Sequence, residues 1–274
     1  MTLELENAGF KIENRWLVRE ATFQLAPGNL TAFVGPNGSG KTTLLRLLAG
    51  LWQLSEGKVL LNGANLHDLP RREIAKQVAY TPQDTHFEFA FTVFDAVMMG
   101  RHPHLGRFER EGERDRKAVR AAMEITDCLH LSERFINELS GGERQRATLA
   151  RSLATEADII LLDEPLANLD LSHSFDVLNV CRKLTQTGKT IALAIHDLNF
   201  AARYASDIIL VSNGRVVASG APDEVLTDDL IERVFGVSTT RAKTATGETM
   251  LFFAAKNNRA ENVSINKQRV KIIL

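Results

Sequence analysis

Thr31-Ala-Phe-Val-Gly-Pro-Asn-Gly-Ser-Gly-Lys-Thr42 decides how this sequence is read. A short buried-strand pattern, Thr31–Val34, runs into Gly35-Pro36-Asn37-Gly38-Ser39-Gly40-Lys41-Thr42, which satisfies G-x-x-x-x-G-K-[ST] in full. A helical run follows from Thr42 and Thr43 to about Ala49 and stops at Gly50. Strand, glycine turn and helix in that order form a phosphate cradle. The glycines let backbone N–H groups turn toward phosphate oxygens, and the helix N-terminus adds positive potential. Lys41 supplies a cation for the β- and γ-phosphates, and the Thr42 hydroxyl is a ligand for Mg²⁺. This loop specifies a nucleoside triphosphate. It does not specify which class of P-loop protein carries it.

The flanking segments make the chain α/β. Leu3 and Leu5, then Phe23 and Leu25, alternate with polar residues as strands do, and Val59–Leu61 before Asn62-Gly63 reads as strand and turn. From about Thr85 to Ala154 helical patterns dominate, with the mixed-sign run Arg107–Arg120 read as a solvated helix and loop. Alternation then returns. Ile159–Leu162, Thr190–Ile195, Asp207–Val211 and Arg215–Ser219 read as strands, and helices cover about Ser174–Thr185 and Leu198–Tyr204. Strands spaced by helices imply a parallel sheet covered on both faces, so the helical stretch is an insertion. After Val237 the pattern weakens. Met250–Ala254 and Arg269–Leu274 are strand candidates around a loop-like KNNRAENVSINKQ.

Composition narrows the partners. The 274 residues carry a net charge of −1, with 44% hydrophobic and 24% charged residues, so no bulk interaction with nucleic acid is expected. Cys128 and Cys181 lack metal-type spacing and suggest a reducing cytosol rather than a disulfide framework. The first residues, MTLELENAGF, are acidic where a signal peptide is basic. No apolar run approaches the roughly 20 residues of a membrane helix, so any membrane role comes through a partner.

Three further features carry chemistry. The Ile159–Leu162 strand ends in Asp163-Glu164-Pro165, which places two carboxylates at the carboxyl end of the sheet, where α/β folds bind ligands. Asp163 suits Mg²⁺ and Glu164 suits a general base; an acidic helix cap is the alternative. Leu139-Ser140-Gly141-Gly142-Glu143-Arg144-Gln145 opens a helix and is either a helix cap or a second anion cradle. His196 ends a strand, a position more often structural than functional.

LSGGE between a P-loop and IILLDEP resembles the ATP-binding cassette family over about residues 1–236. The resemblance implies a P-loop NTPase, RecA-like core with an N-terminal antiparallel β subdomain and a helical subdomain inserted at about 85–155. The ATPase domain then spans 1–237, and 238–274 is an appendage of unassigned role. It implies ATP and Mg²⁺ as cofactors, with Thr42, Gln83 and Asp163 near the metal. It makes Glu164, Gln83 and His196 the catalytic group, Gln83 linking the site to the helical insertion and His196 acting as the switch at the γ-phosphate. Ser140, Gly141 and Gly142 would contact the γ-phosphate held by a second subunit, with Asp170 in the loop touching that subunit. The aromatic that usually stacks on adenine is replaced by Ile12. Phe10 beside it is expected in the core, Trp16 could reach the base, and the sequence leaves open which residue stacks on it.

A single cassette without a fused membrane span or a coiled coil resembles an importer subunit. Gly100-Arg101-His102-Pro103-His104 is similar to a stretch in importers of iron–siderophore, haem and cobalamin complexes. His102 and His104, separated by Pro103, are not expected to hold metal. Phe87, Phe89 and Phe91 are core residues or line a docking groove. The expected partners are a second copy, two transmembrane permease subunits and, indirectly, a substrate-binding protein, at the cytoplasmic face of the inner membrane. The alternatives are a permease-free regulatory or nucleic-acid ATPase, a P-loop kinase or GTPase, and an importer of molybdate or manganese. The tail after Val237 is expected to be dispensable for hydrolysis.

Overall fold

The structure, a computed structural model, describes residues 1–83, 89–244 and 249–255. Strands β1 (Leu3–Ile12) and β2 (Arg15–Leu25) pair antiparallel, with Leu3, Leu5, Phe23 and Leu25 turned into the core. β3 (Leu30–Val34) is buried at every position, as befits the middle of a sheet covered on both faces. The glycine-rich loop follows, then α1 (Lys41–Leu48). β4 (Glu56–Leu61) turns at Asn62-Gly63, both with positive φ, into β5 (Ala64–Asn65). These join the first sheet in the order β2-β1-β4-β5. α2 (Arg71–Gln77) leads to β6 (Val78–Thr81).

The helical unit comprises α3 (Val93–Met98), a 3₁₀ turn over Met99–His104, α4 (Glu113–Ile125) and α5 (Gly141–Ala154). It has its own apolar cluster, with Val97, Val119, Met123, Ala147 and Ala150 at its centre. The chain then re-enters the core as β7 (Ile159–Leu162), α6 (Leu171–Gln186), β8 (Thr190–Ala194), α7 (Leu198–Tyr204), β9 (Asp207–Ser212) and β10 (Arg215–Gly220). The second sheet has the order β10-β9-β3-β8-β7-β6. All its pairings are parallel except that of edge strand β10. One apolar cluster joins α1 and the first sheet to one face, and another joins α6 and α7 to the opposite face.

Several elements go beyond the sequence reading. β6 pairs with β7 and brings the chain before Gln83 alongside the acid pair. After α8 (Pro222–Val225) and α9 (Asp228–Phe235), β11 (Val237–Lys243) pairs with β12 (Thr249–Ala255). β12 matches the expected Met250–Ala254 strand, whereas β11 carries no apolar alternation because most of it is exposed. The hairpin is docked rather than free. Leu251 is buried, its backbone N–H donates to Asn199 Oδ1 (2.7 Å), and its carbonyl accepts from Asn199 Nδ2 (3.1 Å). The Arg269–Leu274 strand and Phe87 lie outside the described residues.

The Gly100–His104 stretch is pinned at both ends. Arg101 is 1% exposed; its Nε donates to Asp115 (2.9 Å), and its Nη1 donates to Glu156 (2.8 Å) and to the Ala154 carbonyl (2.7 Å). His104 Nε2 lies 2.8 Å from the Thr155 carbonyl oxygen, and Arg72 of α2 donates to the carbonyls of Pro103 and His104. Gly100 has no room for a side chain, since a Cβ would lie 2.1 Å from the Arg151 carbonyl oxygen. Arg101→Ala would leave the Asp115 carboxylate buried without its cation, at a cost of about 3–5 kcal/mol. We expect its thermal midpoint to fall by roughly 10 °C by circular dichroism, and a shift of only a degree or two would show that the ion cluster is dispensable.

Candidate functional site

The P-loop is shaped by what lies beneath it. A Cβ on Gly35 would meet the Val211 carbonyl oxygen at 2.0 Å, and Gly40 adopts φ +113° under the Leu17 carbonyl. The Asn213-Gly214 turn braces the loop through a hydrogen bond from Gly214 N–H to the Ser39 carbonyl (2.9 Å). Lys41, 5% exposed, donates through Nζ to the Gly35 (2.8 Å) and Pro36 (3.1 Å) carbonyls. Burial pulls its pKa below the usual lysine value, opposed by the nearby charges of Glu164 and Asp163.

Asp163 follows β7 and is 1% exposed. Its Oδ1 accepts from Thr42 Oγ1 (2.9 Å) and its Oδ2 from Tyr80 OH (3.1 Å), and Tyr80 in turn accepts from Arg46 Nε (3.3 Å). Burial raises the Asp163 pKa while the two hydroxyl hydrogen bonds oppose the shift. Burial also pushes the Tyr80 phenol up to about 12.

The next residue, Glu164, has φ +49°. A left-handed non-glycine residue costs about 1–3 kcal/mol, and such strain concentrates at functional sites. Here Glu164 Oε2 accepts from Gln83 Nε2 (2.8 Å), and Oε1 lies 2.6 Å from His196 Nε2. Residues 83, 164 and 196, distant in sequence, thus converge on one carboxylate.

These groups line a cleft of about 500 Å³ together with Asn37–Thr43, within the size range of small-ligand pockets. Its far wall is built from β2. Arg15 and Leu17 line the cleft, and neither Ile12 nor Trp16 does. β2 bulges at Leu17: Phe10 pairs with Val18, but Lys11 pairs with Trp16. Trp16 therefore leaves the buried face of Val18 and packs against Gly9, between Lys11 and Arg19, on the outer face. Ile12 is 51% exposed. Phe10 stacks on Trp52 at 4.9 Å against the core, as expected. Arg15 and Leu17 were missed, because the bulge at Leu17 breaks the period-2 alternation of β2 and no sequence signal marks it.

The second group of predicted residues lies elsewhere. Ser140 caps α5 by accepting from Glu143 N–H (3.3 Å), while Glu143 accepts from Ser140 N–H (2.8 Å), a reciprocal capping box. Ser140 N–H holds the Glu143 carboxyl below its usual pKa. Asp170 caps α6, accepting from His173 N–H (2.9 Å) and Ser172 Oγ (3.0 Å). Ser140, Gly141, Gly142 and Asp170 do not line the P-loop cleft. His104 and His102 do not meet: His104 bonds the Thr155 carbonyl, and His102 borders a groove with Phe91, Phe94, Met98 and Leu105.

With this geometry established, comparison with known proteins decides the family. The sequence pattern of the ABC transporter family matches residues 18–167, more than half the chain. The chain belongs to the ABC transporter family. As a member it binds ATP and is an ATP hydrolase. It is 43% identical to a hemin import ATP-binding protein of Gloeobacter violaceus over 86% of this chain and 88% of that one. It is 42% identical to a ferric enterobactin transport ATP-binding protein of Escherichia coli over 79% and 80%. A cobalamin import ATP-binding protein of Halobacterium salinarum is 41% identical over 86% of this chain, which spans 59% of that relative. A metal-chelate type ABC transporter solved in an inward-facing conformation superposes with a TM-score of 0.81 at 28% identity, covering 92% of this chain and 97% of the other. A dimeric bacterial ABC transporter cassette gives 0.71 at 26% identity, covering 80% and 98%.

Proposed function

We propose that this chain is one of two ATP-hydrolysing subunits that drive an importer of an iron(III)–siderophore, haem or cobalamin-type chelate. The observation that carries the catalytic part is the Glu164 carboxylate held between Gln83 and His196 at the mouth of the P-loop cleft. In this reading Gly35–Thr43 cradle the phosphates, and Lys41 exchanges its two carbonyl partners for β- and γ-phosphate oxygens. Glu164 accepts a proton from the attacking water, positioned by Gln83, while His196 donates to the γ-phosphate. Asp163 and Thr42 offer hard oxygen donors 2.9 Å apart, together with the Gln83 amide. That set fits Mg²⁺, which takes few protein ligands and keeps water and phosphate for the rest. When bound, the metal would neutralise charge on the β- and γ-phosphates.

Ser140–Gly142 and Asp170 then serve the nucleotide of a second copy. The apolar groove bordered by Phe91, Phe94, Met98 and Leu105 suits a permease helix. Among the described residues no helix is long and apolar enough to cross a membrane, which supports peripheral attachment at the cytoplasmic face through two permease subunits. We assign hydrolysis to residues 1–237, with the β11–β12 hairpin as a docked appendage. Cargo rests on the relatives, whose names include hemin, siderophore and cobalamin.

The test is uptake in cells lacking the gene, with radiolabelled ferric siderophores, haem and cobalamin. We expect one of the three to be lost and to return with the wild-type gene but not with Glu164→Gln. Normal uptake of all three, with loss of molybdate or manganese uptake, would assign a different cargo; no transport defect at all would favour a permease-free ATPase.

A further inference from the structure

We propose that His173 is a positioning residue that locks the Asp170 loop to the Ser140–Gly142 turn, so that both act as one unit. The inference rests on the reading that these segments serve a nucleotide held by a second copy.

The two segments come from different parts of the fold. Ser140 caps the 14-residue helix α5 of the helical unit, and Asp170 caps the 16-residue helix α6 of the core. His173, on the first turn of α6, contacts both. One edge of its ring is fixed by Asp170, whose Oδ1 accepts from the His173 backbone N–H (2.9 Å) and lies 2.8 Å from its Nδ1. One carboxylate oxygen therefore sets both the helix cap and the ring orientation. The other edge lies against Gly142. A Cβ built there would sit 2.6 Å from His173 Cδ2, 2.8 Å from Cγ and 2.9 Å from Nε2. Gly142 is buried, and the imidazole fills the space a side chain would need. Beside it, a Cβ on Gly141 would lie 3.7 Å from the Asn168 carbonyl oxygen. The turn is thus seated on the 168–173 loop.

This contact explains a glycine that phosphate binding alone does not require. Gly142 has ordinary helical backbone, with no positive φ, so its lack of a side chain is a packing requirement set by His173. A rigid ring hydrogen-bonded on one edge and packed on the other transmits displacement, because close-packed contacts shift together. Removing it leaves a gap across which the two turns move separately.

Two measurements on the full chain test this. The first is amide hydrogen exchange without nucleotide, comparing wild type with His173→Ala and His173→Asn. Asparagine retains a donor for Asp170. We expect His173→Ala to speed exchange at both 140–144 and 168–173 by roughly tenfold, leave residues 35–43 unchanged, and be partly rescued by His173→Asn. The second is a double-substitution cycle read as kcat and KM for ATP. Gly142→Ala should lower kcat much more with His173 present than in the His173→Ala background, because the collision is then absent. Exchange unchanged in either segment, faster everywhere, or additive costs in the cycle would overturn the coupling. Exchange needs no second copy, so a failure of the two-copy reading would appear separately, as a Glu164→Gln protein that stays monomeric with ATP.

Discussion

Lys41→Ala is expected to fold normally and to lose ATP hydrolysis, with kcat down by roughly 10²–10³-fold and nucleotide affinity weakened. Lys41 is 5% exposed, and its ammonium is satisfied by two backbone carbonyls. Without nucleotide it is a cation held in a place where burial opposes its charge, so its removal costs the fold little. With nucleotide the same burial strengthens its attraction to phosphate, because water screens it poorly. The substitution therefore separates stability from binding. The thermal midpoint without ATP should stay near wild type, while the upward shift on adding ATP should shrink sharply, since a ligand stabilises only by its affinity for the folded state. Differential scanning calorimetry with and without ATP, alongside phosphate release, reads both. Wild-type turnover in Lys41→Ala would remove the phosphate-cradle reading of Gly35–Thr42.

The contrast between legible and illegible parts has a physical basis. The P-loop and the acid pair could be read because backbone constraint and chemistry coincide there: Gly35 and Gly40 must be glycine, and Asp163-Glu164 must follow an apolar strand. β3, β7 and β8 could be read because strands buried on both faces are continuously apolar. β11 could not, because nearly all of it faces solvent and the hairpin is tied down at scattered points: Val237, Leu251, and Arg241 on Asp228. The wall beyond the phosphates could not be read because a β-hairpin's register decides it. A one-residue change exchanges the two faces, and the bulge at Leu17 makes such a change, turning Trp16 onto the outer face beside Lys11 and Arg19. The Arg101 cluster was missed because its partners, Asp115 and Glu156, are separated from it by the fold's path rather than by any sequence period.

Glu164→Gln is expected to bind ATP, hydrolyse it roughly 10²–10⁴-fold more slowly, and accumulate as a dimer. The carboxylate is held on one side by Gln83 and on the other by His196. Glutamine preserves the size and one acceptor for Gln83 but has no basic oxygen for the water's proton. It also removes a negative charge beside the γ-phosphate, which favours the ATP-loaded state. In that state Ser140–Gly142 are not spent on the chain's own nucleotide, because they do not line its own cleft. They are exposed at the start of α5 or packed on His173, free to meet a phosphate presented by a second copy. ATP then acts as glue, and dimerisation follows by linkage. Adding Ser140→Arg places a bulky side chain at that contact and should abolish the dimer. It also costs about 0.5–2 kcal/mol of helix cap, so the double variant must first be shown to melt as a folded protein. Light scattering after size exclusion, with and without ATP, separates the outcomes. A dimer from Glu164→Gln alone, lost on adding Ser140→Arg, supports the sandwich. A folded double variant that still dimerises would move the contact away from Ser140, and a Glu164→Gln monomer at saturating ATP would mean that this chain closes on itself only when two copies are held by a permease.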